Sequence, residues 1–177
     1  AIKYFEADSR EVHFFPPGSK STYTLEDLLK RNFMATCTVM FRNHLFEAFP
    51  DWFHHVPAGD WPLHILNALQ GSIGYLPEIM AVHRIHAGGA WSPKMNSLRL
   101  QAQIQILNTI RNHLDSSYHS QVDDSLAMRH LRLLYVHWRE SNYRAFWRQL
   151  NWIRGNVWPY PRAYMKAVSR LLSDARK

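Results

Sequence analysis

The chain has 177 residues, is 46% hydrophobic and 20% charged, and carries seven Trp, eight Tyr and nine Phe, enough apolar mass for a packed core and too much for a disordered tail. No apolar run approaches the roughly 18 residues of a membrane-crossing helix, and the single cysteine, Cys37, excludes a disulfide framework or a cysteine zinc cage and suits a reducing compartment. The net charge of +7 is uneven: residues 1–92 hold seven Lys/Arg against nine Asp/Glu (−2) and residues 93–177 hold fourteen against five (+9), so the second half either meets an anionic partner (membrane surface, phosphate-bearing ligand or nucleic acid) or presents a solvated basic helical surface.

Val12-His13-Phe14-Phe15 reads as a short strand stopped by Pro16-Pro17-Gly18. Thr24, with Asp27 three residues on, predicts a capped helix through Leu28 and Leu29. Thr36 to Phe41 is β-branched and largely apolar and predicts a buried strand. Gly59-Asp60-Trp61-Pro62 predicts a helix start, with Leu63, Leu66, Asn67 and Gln70 following at helical spacing to Gly71. Ser72–Leu76 and Ile79–His86 read as two further strands.

Past Trp91-Ser92-Pro93 the pattern is helical. Leu98–Leu114 carries a stripe of Leu100, Ile104, Leu107 and Ile110; Ser125–Trp138 aligns Ala127, Leu131, Leu134 and Trp138. Tyr143, Phe146, Trp147, Leu150 and Ile153 form a third stripe, read as core, and Glu140-Ser141-Asn142 is a turn short enough to fold residues 125–154 into a helical hairpin. A fourth helix is expected from Tyr164 to Leu172.

Chemistry can reside in two places. Asp60 is either a helix cap or a general base held by a rigid element. In the run His83-Arg84-Ile85-His86, strand alternation places Arg84 and His86 on one face, and Gly88-Gly89 then lets backbone approach closely, an arrangement suited to a diphosphate, with Ser92 as a further donor. The eleven histidines show no zinc spacing. Basic residues interleaved with aromatics can bind single strands by stacking, but these aromatics fall on stripes assigned to core, which argues against nucleic acid.

Three stretches together, Thr36–Arg42, Gly59–Leu63 with Gly71–Leu76, and His83–His86 through Gly89-Ala90-Trp91-Ser92, resemble the C-terminal half of family 2 glycosyltransferases, inverting enzymes of the GT-A fold. The resemblance covers residues 5–95. It implies an α/β fold (α+β within this chain), with residues 1–95 as the C-terminal, acceptor-side part of a GT-A domain and residues 96–177 as a basic helical region. It further implies Asp60 as catalytic base, and His86, Arg84 and Ser92 at the donor diphosphate, with His86 alternatively on the metal. Gly59, Trp61, Gly89 and Trp91 would line the substrate pocket, and the full-length enzyme would use Mg²⁺ or Mn²⁺, with none expected on this chain alone.

The implied partners are a nucleotide-diphospho-sugar and a carbohydrate, protein- or lipid-linked glycan acceptor, in the cytoplasm or on the inner membrane face. The family's nucleotide-binding strands and Asp-x-Asp motif precede the matched stretch, and Asp8 and Asp123-Asp124 lack its context. The chain is therefore expected to be part of a longer enzyme, inactive alone, and to cover its exposed strand edge by self-association. The other reading is a non-catalytic helical module binding an anionic partner or membrane surface.

Overall fold

The computed structural model describes residues 2–6, 9–13, 20–84, 96–156 and 161–174, with backbone alone described at 2–6, 9–13, 83–84 and 170–174. Two units divide the chain, Ala1–Lys94 and Met95–Lys177.

In the first unit, helix α1 (Leu25–Lys30) begins where Thr24 predicts. The Thr24 N–H donates to Asp27 Oδ2 at 3.4 Å, and Lys20 and Lys30 both pair with the same carboxylate. Leu25, Leu28 and Leu29 of α1 are buried. Helix α2 (Asp60–Ala68) turns Trp61, Pro62, His64, Ile65 and Ala68 inward. The inward stripe is thus not Leu63–Leu66–Asn67–Gln70. Trp61 sets the rotation of the helix, because its ring is the largest apolar surface available and its indole N–H donates to the Leu28 carbonyl at 3.1 Å. Tyr23 and Phe33, both buried, have ring centroids 5.0 Å apart.

The strands are short. β1 (Ile2–Glu6) pairs antiparallel with β2 (Ser9–His13) and parallel with β5 (Ala81–Arg84), while β3 (Thr22–Tyr23) pairs antiparallel with β4 (Ile73–Gly74). The strand expected at Thr36–Phe41 is absent. A 3₁₀ turn occupies Thr36–Thr38, and Met40 and Phe41 are exposed. Thr38 explains the change: its N–H and Oγ1–H both donate to the Ala35 carbonyl, at 2.8 and 2.7 Å, so local hydrogen bonding wins over a ladder. A second 3₁₀ turn spans Asp51–His55.

The second unit is helical: α3 (Asn96–Arg111), α4 (His119–Arg139), α5 (Tyr143–Asn156) and α6 (Pro161–Asp174). Ile106, Leu107 and Ile110 of α3 and Val122 and Leu133 of α4 are buried. Ala127 of α4, Ile153 of α5 and Ala163, Tyr164 and Ala167 of α6 form a second cluster, flanked by Met128, Leu131 and Leu134. Asp123 and Asp124 are tied up in ion pairs between helices: Arg111 Nε meets Asp123 Oδ1 at 2.6 Å, and Lys166 donates to Asp124. The turn Glu140-Ser141-Asn142 closes the α4–α5 hairpin with Ser141 at φ 53° and the Asn142 N–H on the His137 carbonyl. The all-core reading of the aromatic stripes fails, since Trp138, Tyr143 and Trp147 are 56%, 52% and 59% exposed.

The α/β GT-A expectation is overturned: the described structure is mostly helical. Its five strands are two to five residues long and fall in two sheets, and of their three pairings only β1 with β5 is parallel, too little for a doubly wound layer.

Three histidines, His64, His130 and His137, are buried in these units, and burial holds each imidazole below its ordinary range, His130 down to about 4. An unfolded histidine takes up its proton near pH 6.5, so acid favours the unfolded chain. The stability due to a neutral His130 is complete above pH ~6.5 and is lost as pH falls toward 4, about 3 kcal/mol in all. Denaturant melts at pH 7 and pH 4.5 should show this loss, and His130→Gln should flatten it.

Candidate functional site

Asp60 is the first residue of α2, and its carboxylate does not cap the helix; Gly59 occupies the cap position. The side chain instead reaches back to the segment after α1, where Asn32 Nδ2 donates to Asp60 Oδ2 at 3.1 Å. The Asn32 amide is itself oriented, because its Oδ1 accepts the Met34 N–H at 3.3 Å. One oxygen of a half-buried carboxylate is thereby fixed, and Oδ1 accepts no hydrogen bond from the described residues. An anion at this position also faces the positive end of the helix.

Beside it stands an aromatic wall. A Cβ added at Gly59 would meet the Phe53 ring at 3.3 Å, tighter than ordinary contact, so the ring lies close against the backbone just before Asp60 and would have to give by a few tenths of an ångström. Phe53 stacks on Phe49 (centroids 4.4 Å, 23°), which in turn meets Phe46 edge-on at 5.2 Å. Phe49 is exposed and Trp52 and Phe53 are half-buried. A fixed carboxylate next to apolar ring faces can take a proton from a hydroxyl while the rings meet the C–H face of the molecule carrying it.

Behind Asp60 the same helix face carries His64 and Asn67, four and seven residues on. Both ring nitrogens of His64 and both amide atoms of Asn67 are buried without a hydrogen-bond partner among the described residues. Burial lowers the His64 pKa, opposed by the charge of Asp60, so a neutral imidazole sits one turn behind the carboxylate.

The other site residues are placed differently. Trp61 is 2% exposed and serves the core through Leu28, away from any wall that a substrate could touch. Arg84 ends β5, its backbone registered with Phe5, and its side chain is not described. His86, Gly89, Trp91 and Ser92 lie outside the described residues, so the proposed diphosphate rim is not placed against Asp60. Among the described residues no group of three or more His, Cys, Asp or Glu can hold a metal ion. His86, the residue expected at a Mg²⁺ or Mn²⁺ ion, lies outside the described residues, and no step is assigned to a metal. The sequence reading missed Asn32, His64 and the Phe46–Phe53 wall; only His64 had a visible signal, its spacing of four from Asp60.

The second unit holds an open groove of about 410 Å³ lined by Gln101, Gln105, Asn108, His130, Leu133 and Gln149 with their neighbours on α3. His130 Nδ1 lies 2.9 Å from Gln149 Nε2, and its ring stacks on Trp152 at 3.9 Å. With the imidazole neutral, the lining offers hydrogen bonds and no charge. Arg129 is buried alongside, giving hydrogen bonds to Gln103 Oε1 and to the carbonyl and hydroxyl of Ser125 at 3.0–3.1 Å; burial pulls its pKa down to about 10.

His64→Leu tests the orphaned imidazole. Replacing unpaired buried nitrogens with an apolar group should raise stability by about 1 kcal/mol, read as a higher melting temperature. A loss of 2 kcal/mol or more would mean that His64 is satisfied by an interaction such as a buried water.

Against known proteins, the chain is 36% identical over 87 residues to an uncharacterized protein of Mycobacterium bovis and, at the same level, to uncharacterized proteins of two Mycobacterium tuberculosis strains. The alignment takes in 49% of this chain and 25% of each relative, so the chain spans about a quarter of the length of the curated relatives it matches. No family model and no solved structure matches.

Proposed function

We propose that the first unit supplies the general base of a glycosyl transfer from a nucleotide-diphospho-sugar to an acceptor hydroxyl, with Asp60 as that base. The observation that carries the reading is the carboxylate itself: Oδ2 held by Asn32 at 3.1 Å, Oδ1 without a partner among the described residues, and an aromatic wall alongside. In the step, Asp60 Oδ1 takes the proton of the acceptor hydroxyl as that oxygen forms a bond to the anomeric carbon. The bond from that carbon to the diphosphate oxygen breaks on the opposite face, and its electron pair leaves with the nucleoside diphosphate, so configuration inverts. Asn32 is a positioning residue, and the Phe49–Phe53 rings would meet the apolar face of the acceptor sugar. The sequence motifs at Gly59–Leu63 and His83–Ser92 support the same reading, and donor-binding elements would come from outside these 177 residues.

The test uses the full-length protein with a panel of nucleotide-diphospho-sugars and a mixed glycan acceptor. Asp60→Asn keeps the shape and the Asn32 contact region but cannot accept the proton, and turnover should fall about 10²–10⁴-fold with the melting temperature little changed. Asn32→Ala should lower kcat more modestly, about 10-fold, with KM for the donor unaltered. Transfer at the wild-type rate by Asp60→Asn would end the proposal.

A further inference from the structure

We infer that the α4–α5 hairpin docks on an anionic bilayer surface through an exposed face of aromatic rings and guanidinium groups. Trp138, Tyr143 and Trp147 cluster at the hairpin turn around half-buried Phe146, with Tyr135 exposed on the preceding turn of α4. Large rings left half in water at one end of a helix pair have the amphipathic character of residues that settle at a membrane–water interface.

Arginines accompany the rings. Arg132 and Arg139 flank Tyr135 and Trp138 at helical spacing, and Arg144 and Arg148 repeat beside Tyr143 and Trp147. All four are exposed, and none makes a hydrogen bond or ion pair with a described residue; Glu140 is the one acid between residues 125 and 156. Cations that no described residue neutralises, next to rings left half in water, call for a surface that offers both negative headgroups and a shallow apolar layer.

Other occupants fit less well. A second copy docked through the same face would bring the four arginines of each hairpin together with Glu140 as the one acid each supplies, a contact dominated by like charge. Single-stranded nucleic acid stacks on free ring faces, part of which is taken up here by the edge-to-face contacts of Trp138 with Tyr143 at 75° and of Phe146 with Trp147 at 83°. No described helix is long and apolar enough to cross a membrane, so the contact is peripheral.

The reading stands independently of Asp60 and is tested on the 177-residue chain by flotation with vesicles of phosphatidylcholine alone or with 30% phosphatidylglycerol, in 50 and 500 mM NaCl. The expected result is binding to the phosphatidylglycerol vesicles with a blue shift of tryptophan emission, at least tenfold weaker in high salt and on neutral vesicles. Arg144→Gln/Arg148→Gln should lose about 10- to 30-fold in vesicle affinity. Trp138→Ala/Trp147→Ala should weaken binding and abolish most of the blue shift with circular dichroism unchanged; its melting temperature falls modestly because both rings lean on Phe146, whereas that of the arginine variant stays the same. The proposal is overturned by no binding at low salt, by equal binding to neutral vesicles, by variants that fold and bind as the wild type does, or by single-stranded RNA displacing the protein from vesicles.

Discussion

Trp61 donates its indole N–H to the backbone carbonyl of Leu28 across a buried contact, and the arrangement of the first unit follows from that bond. Helix α1 is six residues long, too short to persist alone, so it is held by what packs on it. Burying the indole against α1 fixes the rotation of α2, turning positions 61, 64, 65 and 68 inward and leaving residue 60 at the rim. The chain leaving α1 then brings Asn32 within reach of the Asp60 carboxylate. A residue that the sequence offers as a pocket wall thus acts one step removed, by setting where the carboxylate stands.

The second unit is organised around polar groups that have been taken out of water. Arg129 crosses from α4 to α3 with its guanidinium buried and bonded to Gln103 and Ser125, and His130 beside it is neutral, stacked on Trp152 and held by Gln149. Such groups are costly when mispaired, so they penalise alternative helix registers more than they add net stability. With the Arg111–Asp123 and Lys166–Asp124 pairs they define how α3, α4 and α6 meet, while the apolar cluster around Ala127 and Ala167 supplies the driving force.

The helices were readable from the sequence because their signals are local: Thr24 with Asp27, Asp60 ahead of Trp61-Pro62, and the periodic Leu and Ile residues of α3 and α4. What failed depended on partners distant in sequence. The Thr36–Phe41 run has the composition of a strand, but Thr38 bonds to Ala35 instead of a neighbouring strand. The Tyr143–Trp147 stripe has the spacing of a core, yet in this part of α5 it is Ala145 that is buried while Tyr143 and Trp147 are left more than half exposed. At the site, Asp60 was legible, whereas Asn32 lies 28 residues away with no pattern to announce it.

Tyr23 Oη, His64 and Asn67 leave five polar atoms of the first unit buried without partners among the described residues. A buried polar atom that gains no hydrogen bond on folding costs roughly 1–3 kcal/mol, so such positions are sensitive to what surrounds them. The consequence concerns evolvability: adaptation at these three interior positions must proceed through compensated pairs, because altering one buried polar group changes what its neighbours can bond to.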